Sequence, residues 1–140
     1  MLVDLSTTKD ALYPAPGLAA TVAWLKKYPN TMLCLLAAEL EATKIMVTDR
    51  ATTVAQWATF SQTDQAAAGA TYDAAINQIN ADLTWPASGW TFAQSVLQTV
   101  TPALATVDVT KAYDASFLKK LNDLGFYKKI GVAYPTANWP

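Results

Sequence analysis

Histidine is missing altogether from the 140 residues, and the chain has one cysteine (Cys34), one arginine (Arg50) and five glycines. Each shortage removes a class of chemistry. Without histidine there is no side chain whose unperturbed pKa lies near neutrality, hence no ordinary general base, imidazole metal ligand or activating partner for a nucleophile. A lone cysteine makes no internal disulfide, and its place in the apolar run Met32-Leu33-Cys34-Leu35-Leu36 predicts a buried, inert thiol. Five glycines leave little for a phosphate cradle. Neither Gly-x-Gly-x-x-Gly, a Walker loop, Gly-x-Ser-x-Gly, Cys-x-x-Cys nor EF-hand spacing occurs.

Charge is equally scarce. Charged residues are 15% of the chain, against roughly 25% in ordinary soluble domains. Ten cations against eleven carboxylates leave a net charge of −1, and the pI of about 5.2 speaks against a nucleic-acid partner. The lysine doublets Lys26–Lys27, Lys119–Lys120 and Lys128–Lys129 are read as solvated pairs that complement the C-termini of helices, not as a phosphate site. No apolar stretch approaches the roughly 18 residues of a membrane span, and no basic leader precedes Asp4. The expectation is therefore synthesis in the cytoplasm without a signal peptide, and no membrane partner.

What the chain does have is apolar bulk. Hydrophobic residues make up 52%, with five Trp, six Tyr and four Phe. That is enough for one core in a single domain without metals or disulfides. Their spacing predicts a mainly α fold of about five or six helices. The expected organisation is an extended N-terminal arm (1–17) containing Tyr13-Pro14-Ala15-Pro16, a helical core domain (18–125) and an aromatic C-terminal arm (126–140).

Within the core, Leu18, Val22 and Leu25 mark a first helix that Pro29 stops, and Asn30 or Thr31 is placed to cap a second, central helix running to about Ile45. Residues 44–60 are ambiguous. Ile45, Met46, Val47 and Thr52-Thr53-Val54 admit a small β-hairpin, while the spacing of Val54, Trp57 and Ser61 favours helix. Ser61 and Asp64 imitate a capping box. Tyr72, Ile76, Ile79 and Leu83 then form the clearest helical stripe, with Gly69 as its weak point. Pro102 is expected to break the run through Phe92, Val96, Leu97 and Val100. Asp108 or Thr110 is placed to cap a last helix, which Gly125 ends in a left-handed conformation. Beyond it, Ile130, Val132 and Tyr134 alternate as in a short strand.

Candidate sites are few. Glu39 and Glu41 stand two apart and point away from each other on a helix, so they share no catalytic site. The row Asp73, Asn77, Asn80 offers oxygen ligands to a hard cation but reads more simply as the polar side of an amphipathic helix. Trp85 and Trp90 flank a Pro-Ala-Ser-Gly turn and are the candidate platform for a sugar ring or a proline-rich peptide. Tyr13, Tyr127, Tyr134 and Trp139, in the two arms, are the candidate anchors in a partner's surface. No catalytic residue, cofactor, metal or small-molecule ligand is indicated. The expectation is a non-enzymatic assembly subunit that docks through its arms on copies of itself or on other structural proteins, with a phage head, neck or tail part as the context such a plan suggests. The alternative is a small binding module, or a carboxylate-based enzyme, with its site near Trp85 and Trp90.

Overall fold

The computed structural model describes residues 17–84 and 87–135. Among these the chain forms seven α-helices and no strand: α1 (Val22–Lys27), α2 (Pro29–Thr48), α3 (Arg50–Phe60), α4 (Gln65–Ala75), α5 (Ala87–Leu97), α6 (Ser116–Asp123) and α7 (Phe126–Ile130). Three 3-10 turns lie at Ile76–Gln78, Pro102–Thr106 and Val109–Ala112. The mainly α reading holds, and residues 44–60 are helical, not a hairpin.

Short polar residues set three of the helix starts. Thr21 caps α1 by accepting from the backbone N–H of Trp24, and Asp49 and Asp64 do the same for Thr52 and Ala67. Asp64 is thus the cap itself and not the third residue of a box begun by Ser61. Pro29 occupies the first turn of α2, where its missing donor costs nothing, so it opens the central helix as well as closing α1. The last long helix begins at Ser116, whose N–H bonds the Asp114 carboxylate, while the expected start near Asp108 or Thr110 is a 3-10 turn.

Two buried clusters organise the packing. Leu40 of α2 meets Leu118 and Leu121 of α6 and Tyr127 and Ile130 of α7. Val54 and Ala58 of α3 meet Ala68 and Tyr72 of α4. The Tyr72 hydroxyl donates to the Met46 carbonyl at 2.9 Å, tying the second cluster to α2. Helix α5 packs against the two later 3-10 turns. The break at Pro102 falls where proline chemistry places it.

The tail differs from expectation. Residues 126–130 form α7, bracketed by Gly125 (φ 75°) and Gly131 (φ 71°), both left-handed. Gly125 ends α6 as the sequence implied, but the chain re-enters helix at once, and Tyr127 and Ile130 belong to the main core. The packed body therefore extends past residue 125. Cys34 also departs from its expectation: α2 places it on the exposed side, because Met32, Leu36 and Leu40 take the inward directions.

Gly69 is buried at the α3–α4 crossing, where a β-carbon would meet Arg50 Nη2 at 3.1 Å. Arg50 is held there by two bonds to the Asp73 carboxylate, each 2.8 Å, and lies over the Tyr72 ring. In an open helix Gly→Ala gains about 1 kcal/mol. Here that gain is expected to be absent for Gly69→Ala in the parent chain and to reappear when Arg50 is also replaced by alanine. Urea unfolding of the double-mutant cycle measures it, and an equal gain in both backgrounds would mean that the guanidinium simply moves aside.

Candidate functional site

Of the anchors expected in the C-terminal segment, Tyr127 is inside the chain and Tyr134 is partly buried. Tyr127 is 1% exposed, and its hydroxyl donates to the Asp82 carbonyl at 2.9 Å. Tyr134 packs edge-on against it, ring centroids 5.0 Å apart. Tyr127 is therefore a core residue, because α7 folds back beneath α2 and α6, while Tyr134 packs against that core and stays partly exposed. Tyr13, Trp85 and Trp139 lie outside the described residues. Trp90 is half-buried and tilted against Tyr113 at 5.9 Å, so one face of the expected platform is already covered by the chain itself. Among the described residues its indole N–H has no hydrogen-bond partner.

The carboxylates are occupied locally. Arg50 holds Asp73 below the usual carboxylate range through its hydrogen bonds, and the Thr52 backbone N–H, with the Thr52 hydroxyl, does the same for Asp49. Both favour the fold above the ordinary carboxylate pKa, and that contribution is lost as pH falls through their native values. Glu39 and Glu41 are exposed. The Asp73, Asn77, Asn80 row does not persist as one helical face, since α4 ends at Ala75 and the Asn80 amide donates to the Thr84 carbonyl. Among the described residues no three His, Cys, Asp or Glu side chains are gathered as metal ligands. The lysine doublets sit at or near the C-termini of α1, α6 and α7, and Lys119 pairs with Asp123.

A groove of about 360 Å³ runs between the end of α2, the 79–82 segment and residues 131–133. Its charged residues are engaged within the chain. The Lys44 ammonium donates to the Ile130 carbonyl at the C-terminus of α7, and the Asp82 carboxylate accepts from the Thr84 N–H and hydroxyl. The floor is Val47, Ile79 and Val132. The groove thus offers apolar contact and little unspent polarity.

The surface is the more telling feature. Among the described residues eleven large hydrophobic side chains are exposed, while eight larger than alanine are buried. Phe60 (90%) and Val100 (77%) are the most open. Helix α1 buries no residue at all. Val96 and Leu97 at the end of α5, Val100 just after it and Val107 after the next 3-10 turn are all exposed. The anchor search in the sequence missed these positions because it followed aromatics in the terminal segments. A signal was present: between Asp82 and Asp108 no charged residue occurs, a run of 25 residues. A charge-free stretch of that length has only Thr, Ser and Gln to hold its outer side in water. No family model, curated protein or solved structure matches the chain.

Burial pushes the phenols of Tyr127 and Tyr113 above the ordinary tyrosine range, with the nearby Asp82 charge and Tyr134 acting in the same direction. A phenol held neutral in the fold contributes stability that is complete below its unfolded pKa of about 10 and is lost as pH rises beyond it. For Tyr127 the slope is roughly 1 kcal/mol per pH unit. Tyr127→Phe is expected to cost about 1 kcal/mol at neutral pH, through the unpaired Asp82 carbonyl, and to make the alkaline loss shallower. Denaturant unfolding between pH 8 and 11 checks both, and a variant with the parent's alkaline slope would place the sensitive groups elsewhere.

Proposed function

We propose that this chain is a non-enzymatic assembly subunit that docks on copies of itself or on other structural proteins, and that a virion part such as a phage head, neck or tail component is its setting. One observation carries the reading: the described surface exposes more large hydrophobic side chains than the core buries. Contiguous apolar patches are uncommon on solitary soluble domains and mark interaction surfaces. The small charged fraction adds to it, because little of the exterior is built for water. Tyr127, which is 1% exposed, is not among the proposed anchors. The terminal arms remain in the proposal, with Tyr13, Tyr134 and Trp139 as their anchors.

The test is light scattering on the full chain over a concentration series, with any co-purifying protein recorded, followed by the same measurement after removal of residues 1–15 and 136–140. A defined multimer or a stoichiometric protein partner is expected for the full chain. The truncated chain is expected to lose part or all of that association while still unfolding cooperatively, because the cores around Tyr127 and Tyr72 lie within what is kept. A full chain that stays monomeric without a protein partner would overturn the reading. The half-covered Trp90 would then be the place to probe with saccharides and proline-rich peptides.

A further inference from the structure

Helix α2 is apolar on two opposite sides. One side, with Leu36, Leu40 and Thr43, faces the core. On the other, Thr31, Leu35, Ala38, Ala42 and Ile45 follow at intervals of 4, 3, 4 and 3, and all five are exposed. Positions so spaced on one helix form a single stripe, and the alternation of three and four is the seam into which another helix packs. Two carboxylates border it, one on either side. Glu39 and Glu41 are exposed and make no ion pair among the described residues. Lys44, the one cation of α2, donates instead to the Ile130 carbonyl.

Helix α1 carries the complementary chemistry. Between Asp10 and Glu39 the chain has no carboxylate, and its only cations there are Lys26 and Lys27. Trp24 and Leu25 are half-buried, whereas Val22, Ala23, Lys26 and Lys27 are exposed. Val22 with Lys26 and Ala23 with Lys27 each stand one turn apart, so the outward side of α1 is aliphatic at its start and cationic at its end. Neither lysine is in an ion pair among the described residues. Resting on the assembly reading above, we propose that the outward side of α1 of a second copy docks on the stripe from Leu35 to Ile45, with its Lys26 and Lys27 against Glu39 and Glu41. Aliphatic contact supplies the burial, and the flanking charges set the partner and its direction, as they do beside a helical seam. Charge separates this occupant from the others. A second α2 laid on the stripe brings two more carboxylates to it, residues 1–16 bring Asp4 and Asp10 against Lys9, and nucleic acid or anionic lipid brings phosphates. Of the helices that carry a lysine doublet, α6 and α7 commit their apolar side chains to the core, and α1 buries no residue.

Because the two surfaces are unlike, reversing the charge on both sides restores the contact. The experiment is sedimentation equilibrium of the full chain for the parent, for Glu39→Lys with Glu41→Lys, for Lys26→Glu with Lys27→Glu, and for an equimolar mixture of these two variants. Lys128→Glu with Lys129→Glu is the control. All six positions are exposed, and circular dichroism confirms that each variant keeps its helix content. The expected result is parent self-association, a loss of at least about tenfold in the association constant for each reversed variant alone, recovery in the mixture, and no loss for the control. Lys26→Gln with Lys27→Gln, which places no repelling charge at the end of α1, is expected to lose less than the reversal. If both reversed variants associate like the parent, this inference falls and the assembly reading stands on another surface. If each loses association and the mixture does not regain it, the lysines and glutamates do not meet, and the inference falls likewise. A parent that does not self-associate but holds a different protein through Glu39 and Glu41 overturns the second copy as occupant and keeps the assembly reading. If the parent neither self-associates nor holds a protein partner, both fall.

Discussion

The burial of one phenol, that of Tyr127, is what the remaining packing is arranged around. With Leu40 it is one of the two largest side chains taken out of water almost completely. A buried hydroxyl must find an acceptor, and the one it finds, the Asp82 carbonyl, is 45 positions away. The segment after α4 therefore has to travel to α7. It does so through Leu83 at φ 60°, a left-handed conformation unusual for so bulky a residue. Three bonds hold that turn: the Asp82 carboxylate takes the Thr84 N–H and hydroxyl, and the Asn80 amide reaches the Thr84 carbonyl. Leu83 itself packs on the main cluster. Backbone strain of about 1–3 kcal/mol is thus fixed in place by the core that it completes.

Where one short-range rule governs a position, the sequence is a sufficient guide. Asp49 between two helical stretches, Pro102 inside one and Gly125 after Leu124 each act through backbone geometry within a few residues, and each does in the structure what that geometry requires. The readings that needed distant contacts fared differently. Tyr72, Ile76, Ile79 and Leu83 keep helical spacing, yet the helix stops at Ala75, because the bond from Tyr127 to Asp82 draws the next residues into a turn. The alternation Ile130, Val132, Tyr134 resembled a strand because five residues are too few for a period of 2 and one of 3.6 to diverge. Two left-handed glycines six apart, Gly125 and Gly131, were the better evidence for a short intervening helix.

The candidate site shows the same limit from the other side. Aromatics were sought as anchors because interfaces favour them, but Tyr127, with Tyr134 against it, is what a chain rich in alanine and threonine has available to fill its main core. Alanine, threonine and glycine dominate α3 and α4, so their crossing is close enough that Gly69 admits the Arg50 guanidinium above it. Spending large rings inside leaves aliphatic side chains outside. Val96, Leu97 and Val100 were legible as the apolar stripe of a helix, and a stripe by itself is silent on whether another element of the same chain covers it. Here the elements packed on α5 are short 3-10 turns, too small to cover its last turn.

Charge distribution turns that uncovered stripe into an argument about partners. The carboxylates and lysines cluster in 39–50, 64–82 and 108–129, where they cap helices, pair along them, or complement their C-termini. Several have a structural use as caps, ion pairs or complements of helix ends, and the two signs nearly balance over the chain. A chain of this composition is poorly equipped to find a partner by electrostatic steering, which needs a field of one sign over a whole surface. Its association, on the proposed reading, depends instead on removing aliphatic surface from water. Such contacts are non-directional individually and gain specificity from shape and from the exclusion of anything charged. The helix-capping aspartates Asp49 and Asp64 fix where α3 and α4 begin, and so fix the relief of the surface those helices present.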